Sequence, residues 1–500
     1  MNASVKKILL AIVALLAALA LGGYFFFIPG QEKKYEREIA AFIDSLPGKL
    51  AADAIKVNFL GNSAEIRGLR GTTRYPGSEV TVNVGSLTLK GFNFRLGTAG
   101  VSKLADSLII TDCSITQGVT QDIALGRLEL HNMRGDLNAA AELFGDTPLE
   151  RKMEIATSFS AGPVRLRDCA ITTHTVLGPV IMRLDSSETQ EASLLTSKNS
   201  VSEKLTLTAF NTEVMSLDRI HLASVTIPNI IAPVLDLVDM RRDLDDISMV
   251  ILERIRQKPF AMRGLIMEGF RFQFMMPEPI SFGRFSMDLD ASADSLAVKK
   301  DMQGLILPPS IYGPISMEAA QFSAFYAKPL NLDLRSDFTL TQTGDASAEF
   351  TVRDVLIRDK NLASAQASAN FILNAEARHV YEFLDNEPDV FLKQITLTLE
   401  DKALVSTFLE SELATFTGAR QISADELREQ IAQSIIMLSA IGGESYMLIA
   451  EGLASLIQAP GKLTIAGAAG TPVDIFASSL SDTLMELELA VEFTPSEENK

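Results

Sequence analysis

One eight-residue pattern recurs along this chain: apolar-x-apolar-x-(Gly, Asp, Asn or Ser)-apolar-x-apolar. Residues 87–94 read LTLKGFNF, 265–272 read LIMEGFRF, 108–115 read LIITDCSI and 164–171 read VRLRDCAI. Residues 220–227 (IHLASVTI) and 350–357 (FTVRDVLI) follow the same rule, and looser copies begin at Ala64 and Leu128. Alternation of period two places every second side chain on one face of a strand. The step from the third to the sixth position is odd, so an unbroken pleat would turn the second apolar pair to the opposite face. A bulge at the fifth residue restores the phase, and Gly, Asp, Asn and Ser are the residue types that tolerate such backbone geometry. The alternative is a tight turn joining two short strands. Either way the pattern predicts a mainly β fold with minor helices, an extended curved antiparallel-type sheet or groove of repeated β-units.

The segments between the copies divide the chain. Lys6 and Lys7 precede an uncharged run over 8–28, closed by Pro29-Gly30. At about 1.5 Å per residue the run reaches about 31 Å, the depth of a hydrocarbon core. Residues 1–30 therefore read as a membrane anchor contacting the bilayer through 8–28. The competing reading is a signal peptide cut at Ala18-Leu19-Ala20, which would have a long apolar region. Lys33, Lys34 and Arg37 leave flanking charge undecided, and the short N-terminal tail favours a signal-anchor with the body outside.

Residues 31–54 predict a helix broken at Pro47-Gly48, with Ile39, Ala40, Phe42 and Ile43 on its apolar side. Residues 55–232 predict a first β-rich region, 233–259 a helix stopped by Pro259, and 260–420 a second β-rich region. Within the latter a short helix is expected near 375–384, with alternation continuing to about Phe416. Residues 421–500 predict a helical pair and final strands: Ser423 and Glu426 form a capping box, Gly442-Gly443 breaks the run, and a second helix covers 444–458. Both helices are too short to span a bilayer. They either pack on a sheet or lie at a membrane interface.

Composition narrows the chemistry. Asp and Glu outnumber Lys and Arg by 63 to 45, a net charge of −18 that excludes nucleic acid as the main partner. Trp is absent and there are four His. His131 and His221 fall at outward positions of the pattern, His174 follows a copy, and His379 sits in an expected helix. The chain carries no H-E-x-x-H, C-x-x-C, G-x-S-x-G or phosphate-loop motif, and Pro-Gly-Lys at 47–49 and 460–462 lacks the flanking residues of one. Asp243, Asp245 and Asp246 lack the spacing of an oxygen-ligand loop and read as a solvated face. No catalytic residue, metal site or cofactor is expected. Cys113 and Cys169 both take the sixth position, where other copies carry Phe, Met, Val or Leu, so both are expected in the core. A further copy lies between them, which would hold them about 9–10 Å apart and unpaired.

A basic tail, one span, a brief helix and irregular copies of alternating segments with a Gly/Asp/Asn step resemble the AsmA-like envelope proteins of Gram-negative bacteria. Residues 46–69 (LPGKLAADAIKVNFLGNSAEIRGL) are the most similar stretch, and the ending at 460–465 (PGKLTI) is similar to those of other envelope proteins of this type. The helical segment 233–258 and the C-terminal helix pair depart from the family's pattern. The resemblance implies a single-pass inner-membrane protein whose body is a periplasmic β-groove with a role in lipid handling, lipid transport or envelope maintenance. The missing motifs make an enzyme the least expected reading. Phe92, Phe94, Phe270 and Phe272, at positions six and eight of the two best copies, are the candidate residues lining a phospholipid groove. The alternative is a structural or assembly adaptor that binds protein partners and no lipid.

Overall fold

A computed structural model describes residues 32–45, 49–58, 62–75, 78–91, 102–135, 157–227, 260–312, 329–377, 382–415, 423–439 and 443–496, apart from positions 119, 194, 275, 386 and 479, together with 151, 155 and 380. The expected span 8–28, the helix at 233–259, and Phe92, Phe94 and His379 lie outside these residues. Among the described residues no helix is long and apolar enough to cross a membrane. The chain divides into two compact units, Met1–Met267 and Glu268–Lys500.

In the first unit, α1 (Glu32–Ser45) precedes β1 (Lys49–Ala51), β2 (Ala54–Asn58), β3 (Ser63–Tyr75), β4 (Ser78–Lys90), β5 (Ser102–Gln117) and β6 (Gln121–Gly135). There follow β7 (Ser160–Ala161), β8 (Val164–Thr175), β9 (Gly178–Ser193), β10 (Thr196–Ala209) and β11 (Thr212–Thr226). Every registered pair is antiparallel, and successive strands are neighbours from β3 to β6 and from β8 to β11. β6 pairs with β8, and the two-residue β7 extends that edge between β6 and β9. β1 and β2 both pair with β3, so they form one strand interrupted at Ala52-Asp53. This corrects the expected helix over 31–54: it ends at Ser45, and Lys49–Ala51 gains ladder hydrogen bonds from β3. Ile43 is buried and Ile39 packs beside it, so α1 seats its apolar stripe on the first strands.

The recurring pattern has a specific form here. Between β4 and β5 the register passes from Val84↔Cys113 to Ser86↔Thr111, skipping Gly85 and Asp112 on both strands at once. The same skip falls on Gly126 opposite Asp112, Gly126 opposite Asp168, Asp168 opposite Asp185, and Lys204 opposite Asp185 and Asp218. With Asp53, Gly68 and Gly85 at its start, this is one transverse crease through β3–β6 and β8–β11. Left-handed residues alternate along it: Gly68 (φ 61), Asp112 (φ 51), Asp168 (φ 53) and Lys204 (φ 52). Because both partners make the extra step, the pairing register is unshifted while the apolar residues return to their face. Leu108, Ile110, Cys113 and Ile115 are accordingly all buried in one cluster. The copies at 64–71, 108–115, 128–135, 164–171, 265–272 and 350–357 each lie within one strand and are not turn-linked pairs, whereas β4 ends at Lys90 inside copy 87–94. At the fifth position Gly68, Gly91, Asp112, Asn132, Asp168 and Gly269 have positive φ. Ser224 does not; it pairs regularly with Lys198, and the creases of β11 fall at Asp218 and Ala223 instead.

β12 (Phe260–Phe272) carries the chain from the first unit into the second. The second unit continues with β13 (Ile280–Ala291), β14 (Ser295–Leu307), α2 (Pro309–Tyr312), β15 (Leu330–Gly344), β16 (Ser347–Asp359) and β17 (Ala363–Asn374). Then come α3 (Glu382–Asp385), β18 (Asp389–Asp401), α4 (Leu404–Thr415), α5 (Ala424–Ser439), α6 (Glu444–Gln458), β19 (Gly461–Asp474), α7 (Leu480–Glu486) and β20 (Leu487–Pro495). From β13 to β20 each strand pairs antiparallel with the next. Copy 350–357 contains an ordinary one-sided bulge: Val352↔Ala369 is followed by Val355↔Ala367, with Arg353 and Asp354 facing Ser368 alone.

Two expectations fail in this unit. The helix near 375–384 is reduced to Glu382–Asp385, because Ala375 and Ala377 donate backbone hydrogen bonds to Ala346 and Asp345. Strand alternation stops at Asp401, and α4 follows. The Asp401 carboxylate accepts from the Val405 amide at 3.1 Å, and Val405 and Leu409 stand one helical turn apart, the signal that was missed. The capping box at α5 forms in both directions: Ser423 N–H donates to Glu426 Oε2 (2.9 Å), and Glu426 N–H donates to Ser423 Oγ (3.2 Å).

Candidate functional site

Cross-strand register assembles the apolar positions of the first unit into rows. One row runs Leu69, Val84, Cys113, Leu125, Cys169, Leu184, Leu205, Leu217. On its side of the crease the parallel row is Val82, Ile115, Ile123, Ile171, Met182, Leu207, Met215. Across the crease lie the rows through Ile66, Leu87, Ile110, Leu128 and Leu166, and through Leu89, Leu108, Leu130 and Val164.

Burial changes along these rows. Leu69, Val84 and Cys113 are buried beside α1, and Leu217 is buried at the far strand. Between them Leu125, Cys169, Leu184 and Leu205 are half-buried, and Met182 is exposed. The two rows beyond the crease turn polar at β9 and β10. There Ser202 Oγ donates to Ser187 (2.9 Å), and Thr189 and Ser200 share a hydroxyl hydrogen bond (2.9 Å). The result is a half-buried apolar band over β6–β10, called the trough below, lined by Leu, Ile, Val and Met and edged on one side by hydroxyls.

The opposite face is charged. Glu129 accepts from Arg127 Nε at 2.5 Å and lies 3.2 Å from His131 Nε2, and Arg165 reaches Glu188 at 3.1 Å. The hydrogen bond with His131, aided by Arg127 against the opposing effect of burial, holds the Glu129 carboxyl below the usual carboxylate range. His174 pairs with Asp122 at 2.9 Å, and that hydrogen bond with one from Thr116 lowers the Asp122 pKa. Exposed pairs of this kind add little to stability and mark the face that meets water. Among the described residues no three His, Cys, Asp or Glu side chains are placed to hold a metal ion.

The cysteines lie in one row, with Leu125 of β6 between them. Both are free, and burial raises the Cys113 thiol to about 11 and the Cys169 thiol as well. Under native conditions at pH 8, maleimide labelling is expected to spare Cys113, to be slow at Cys169, and to reach two thiols per chain only after denaturation. A mass shift showing one disulfide would refute this strand order.

The remaining sequence candidates divide. Phe270 and Phe272 of β12 fall in the second unit, and the trough is built from strands of the first. Phe270 stacks on the buried Phe282 at 4.6 Å with 12° between rings, and Phe285 lies 6.2 Å beyond. Phe272 is half-buried. Sequence reasoning missed Leu184, Leu205 and Leu207 among the residues that floor the trough. Their β9 and β10 segments match no copy of the pattern, and only the register aligns them with β6 and β8.

The second unit also buries a carboxylate. Asp333 of β15 sits opposite the bulge Gln303-Gly304 in β14. It accepts from the Gly304 amide (2.9 Å) and from Arg358 (2.7 Å), with Lys360 at 3.9 Å. Burial works to raise its pKa, but Arg358, the Gly304 amide and Lys360 outweigh burial and hold it below the usual carboxylate range. A lowered folded-state pKa stabilises above the unfolded value of about 4, and that contribution is lost as pH falls through the folded value. Urea midpoints are therefore expected to drop more steeply below about pH 4 in the native chain than in Asp333→Asn. Parallel curves would remove this role. No protein-family model matches the chain, and no curated protein is similar to it.

Proposed function

We propose that the chain is a membrane-anchored envelope protein of AsmA-like type that holds phospholipid acyl chains along the apolar trough of its first unit. In this reading residues 8–28 anchor it in the bacterial inner membrane, and the body stands in the periplasm. The observation that carries it is the row Leu125–Cys169–Leu184–Leu205, half-buried on one face of the sheet between buried ends. Apolar surface left in contact with water forgoes about 25 cal/mol per Å². An acyl chain recovers that term without needing any directed polar partner, and the Ser187–Ser202 and Thr189–Ser200 hydroxyls offer acceptors and donors beside it for a lipid's ester region.

Lipid extraction and mass spectrometry of the chain purified from its membrane, exchanged into a non-lipid detergent, is the direct test. Phospholipid retained in about stoichiometric amount supports the reading. A folded chain that carries none, and takes none from labelled vesicles, favours the adaptor. One observation speaks for that second reading: Val176 and Leu177 at the β8–β9 turn are exposed at 104% and 77%, as side chains of a protein-docking tip would be.

A further inference from the structure

In the second unit α5 and α6 leave large apolar side chains exposed at their adjoining ends. The residues that α5 and α6 bury are small or few: Ala432 and Ser439 from α5, Ala450, Gly452, Ala454 and Leu456 from α6. Gly452 permits this close seating, since a Cβ there would lie 2.6 Å from Leu463 Cδ1 and 2.7 Å from Val491 Cγ1 of the strands beneath. Ile431, Ile435, Ile449, Leu453 and Ile457 are half-buried and Leu456 is buried, but other large apolar side chains stay exposed: Met437 is 75% exposed, Leu438 72%, Met447 41% and Leu448 39%. A helix that packs on a soluble core places its large apolar residues inward. Small residues seated against the sheet, with large apolar ones exposed at one end, suit helices whose end meets lipid.

These exposed residues lie close together in sequence. They occupy the last turn of α5 and the first turn of α6, and only four residues separate Ser439 from Glu444. Half-buried Tyr446 stands beside them, a residue type enriched at membrane–water interfaces. The charge pattern selects the surface. Between Glu429 and Gly461 the chain has no Lys, Arg or His, and its three charges are Glu429, Glu444 and Glu451. An anionic surface would repel such a segment, whereas a neutral one would not.

We propose that the adjoining ends of α5 and α6, through Met437, Leu438, Met447 and Leu448, insert into the interfacial layer of a zwitterionic phospholipid bilayer. Neither helix is long enough to span it, so the pair docks on the surface, its small-residue face held by the sheet. The contact lies in the second unit and stands whether or not the trough of the first unit holds lipid.

The test uses the full chain reconstituted into phosphatidylcholine vesicles, with Cys113 and Cys169 replaced by Ala. An environment-sensitive fluorophore is placed at Met437→Cys, or at Asp425→Cys at the other end of α5, where the side chain is 91% exposed. Acyl-chain spin-labelled phosphatidylcholine is expected to quench position 437 at least threefold more than position 425. Adding Leu438→Asp and Leu448→Asp should erase the difference while the helical circular dichroism is retained. To guard against a misfolded background, a photo-crosslinking residue at Leu438 or Asp425 in the chain with its native cysteines should give lipid adducts at 438 alone. Equal quenching at both positions overturns the proposal, as does quenching seen only when phosphatidylglycerol replaces phosphatidylcholine. Protein–protein crosslinks at 438 that persist without vesicles would assign the tip to a second copy and overturn it too.

Discussion

Replacing Leu184 and Leu205 together with aspartate is expected to leave the first unit folded while stripping it of bound lipid by tenfold or more. The two side chains are cross-strand partners in the half-buried stretch of one row. A carboxylate there keeps contact with water, so the cost to folding should stay near 1–2 kcal/mol. The same change at Leu108, fully buried in the cluster beside α1, places a charge with no partner in a closed core and should cost several kcal/mol. The contrast between the two sites is the measurement. If the trough holds acyl chains, the double variant melts near the native temperature and extracts without phospholipid. If Leu184→Asp/Leu205→Asp unfolds as Leu108→Asp does, the face is ordinary core and the trough is wrong.

The crease yields the second large effect. A Cβ on Gly126 would lie 2.8 Å from the Asp168 Cβ and 3.1 Å from its carboxylate. Gly126→Val is therefore expected to destabilise the first unit by about 2–4 kcal/mol, since a β-branched side chain cannot escape the obstruction. Asp168 itself stands at φ 53, a conformation costing a non-glycine residue about 1 kcal/mol or more. Asp168→Gly removes both the obstruction and that strain. The double variant should recover most of the loss, giving a coupling energy of at least about 1 kcal/mol in urea denaturation. Strictly additive losses would show that Gly and Asp do not act as a cross-strand pair.

The β character of the chain was legible because it is local chemistry. Period-two alternation, and Gly, Asp or Asn at the fifth position, follow from backbone sterics that a strand feels wherever it is placed, and six of those fifth residues adopt positive φ. The capping box at Ser423 and Glu426 was legible for the same reason: donor and acceptor are three residues apart. Register is a different kind of information. A single strand such as β5 calls for an extra step at Asp112, but that both neighbours step at the same level, at Gly85 and Gly126, depends on pairings across 27 and 14 positions. The trough is a product of register alone, since Leu184 and Leu205 lie in segments without the pattern and join Cys169 only by pairing. Phe270, placed correctly on a strand, met Phe282 because β13 brought an aromatic ring to it. Burial completes the division: the sequence determined which residues are apolar, and the tertiary structure decided which of them stay in contact with water, because that depends on what packs above the sheet.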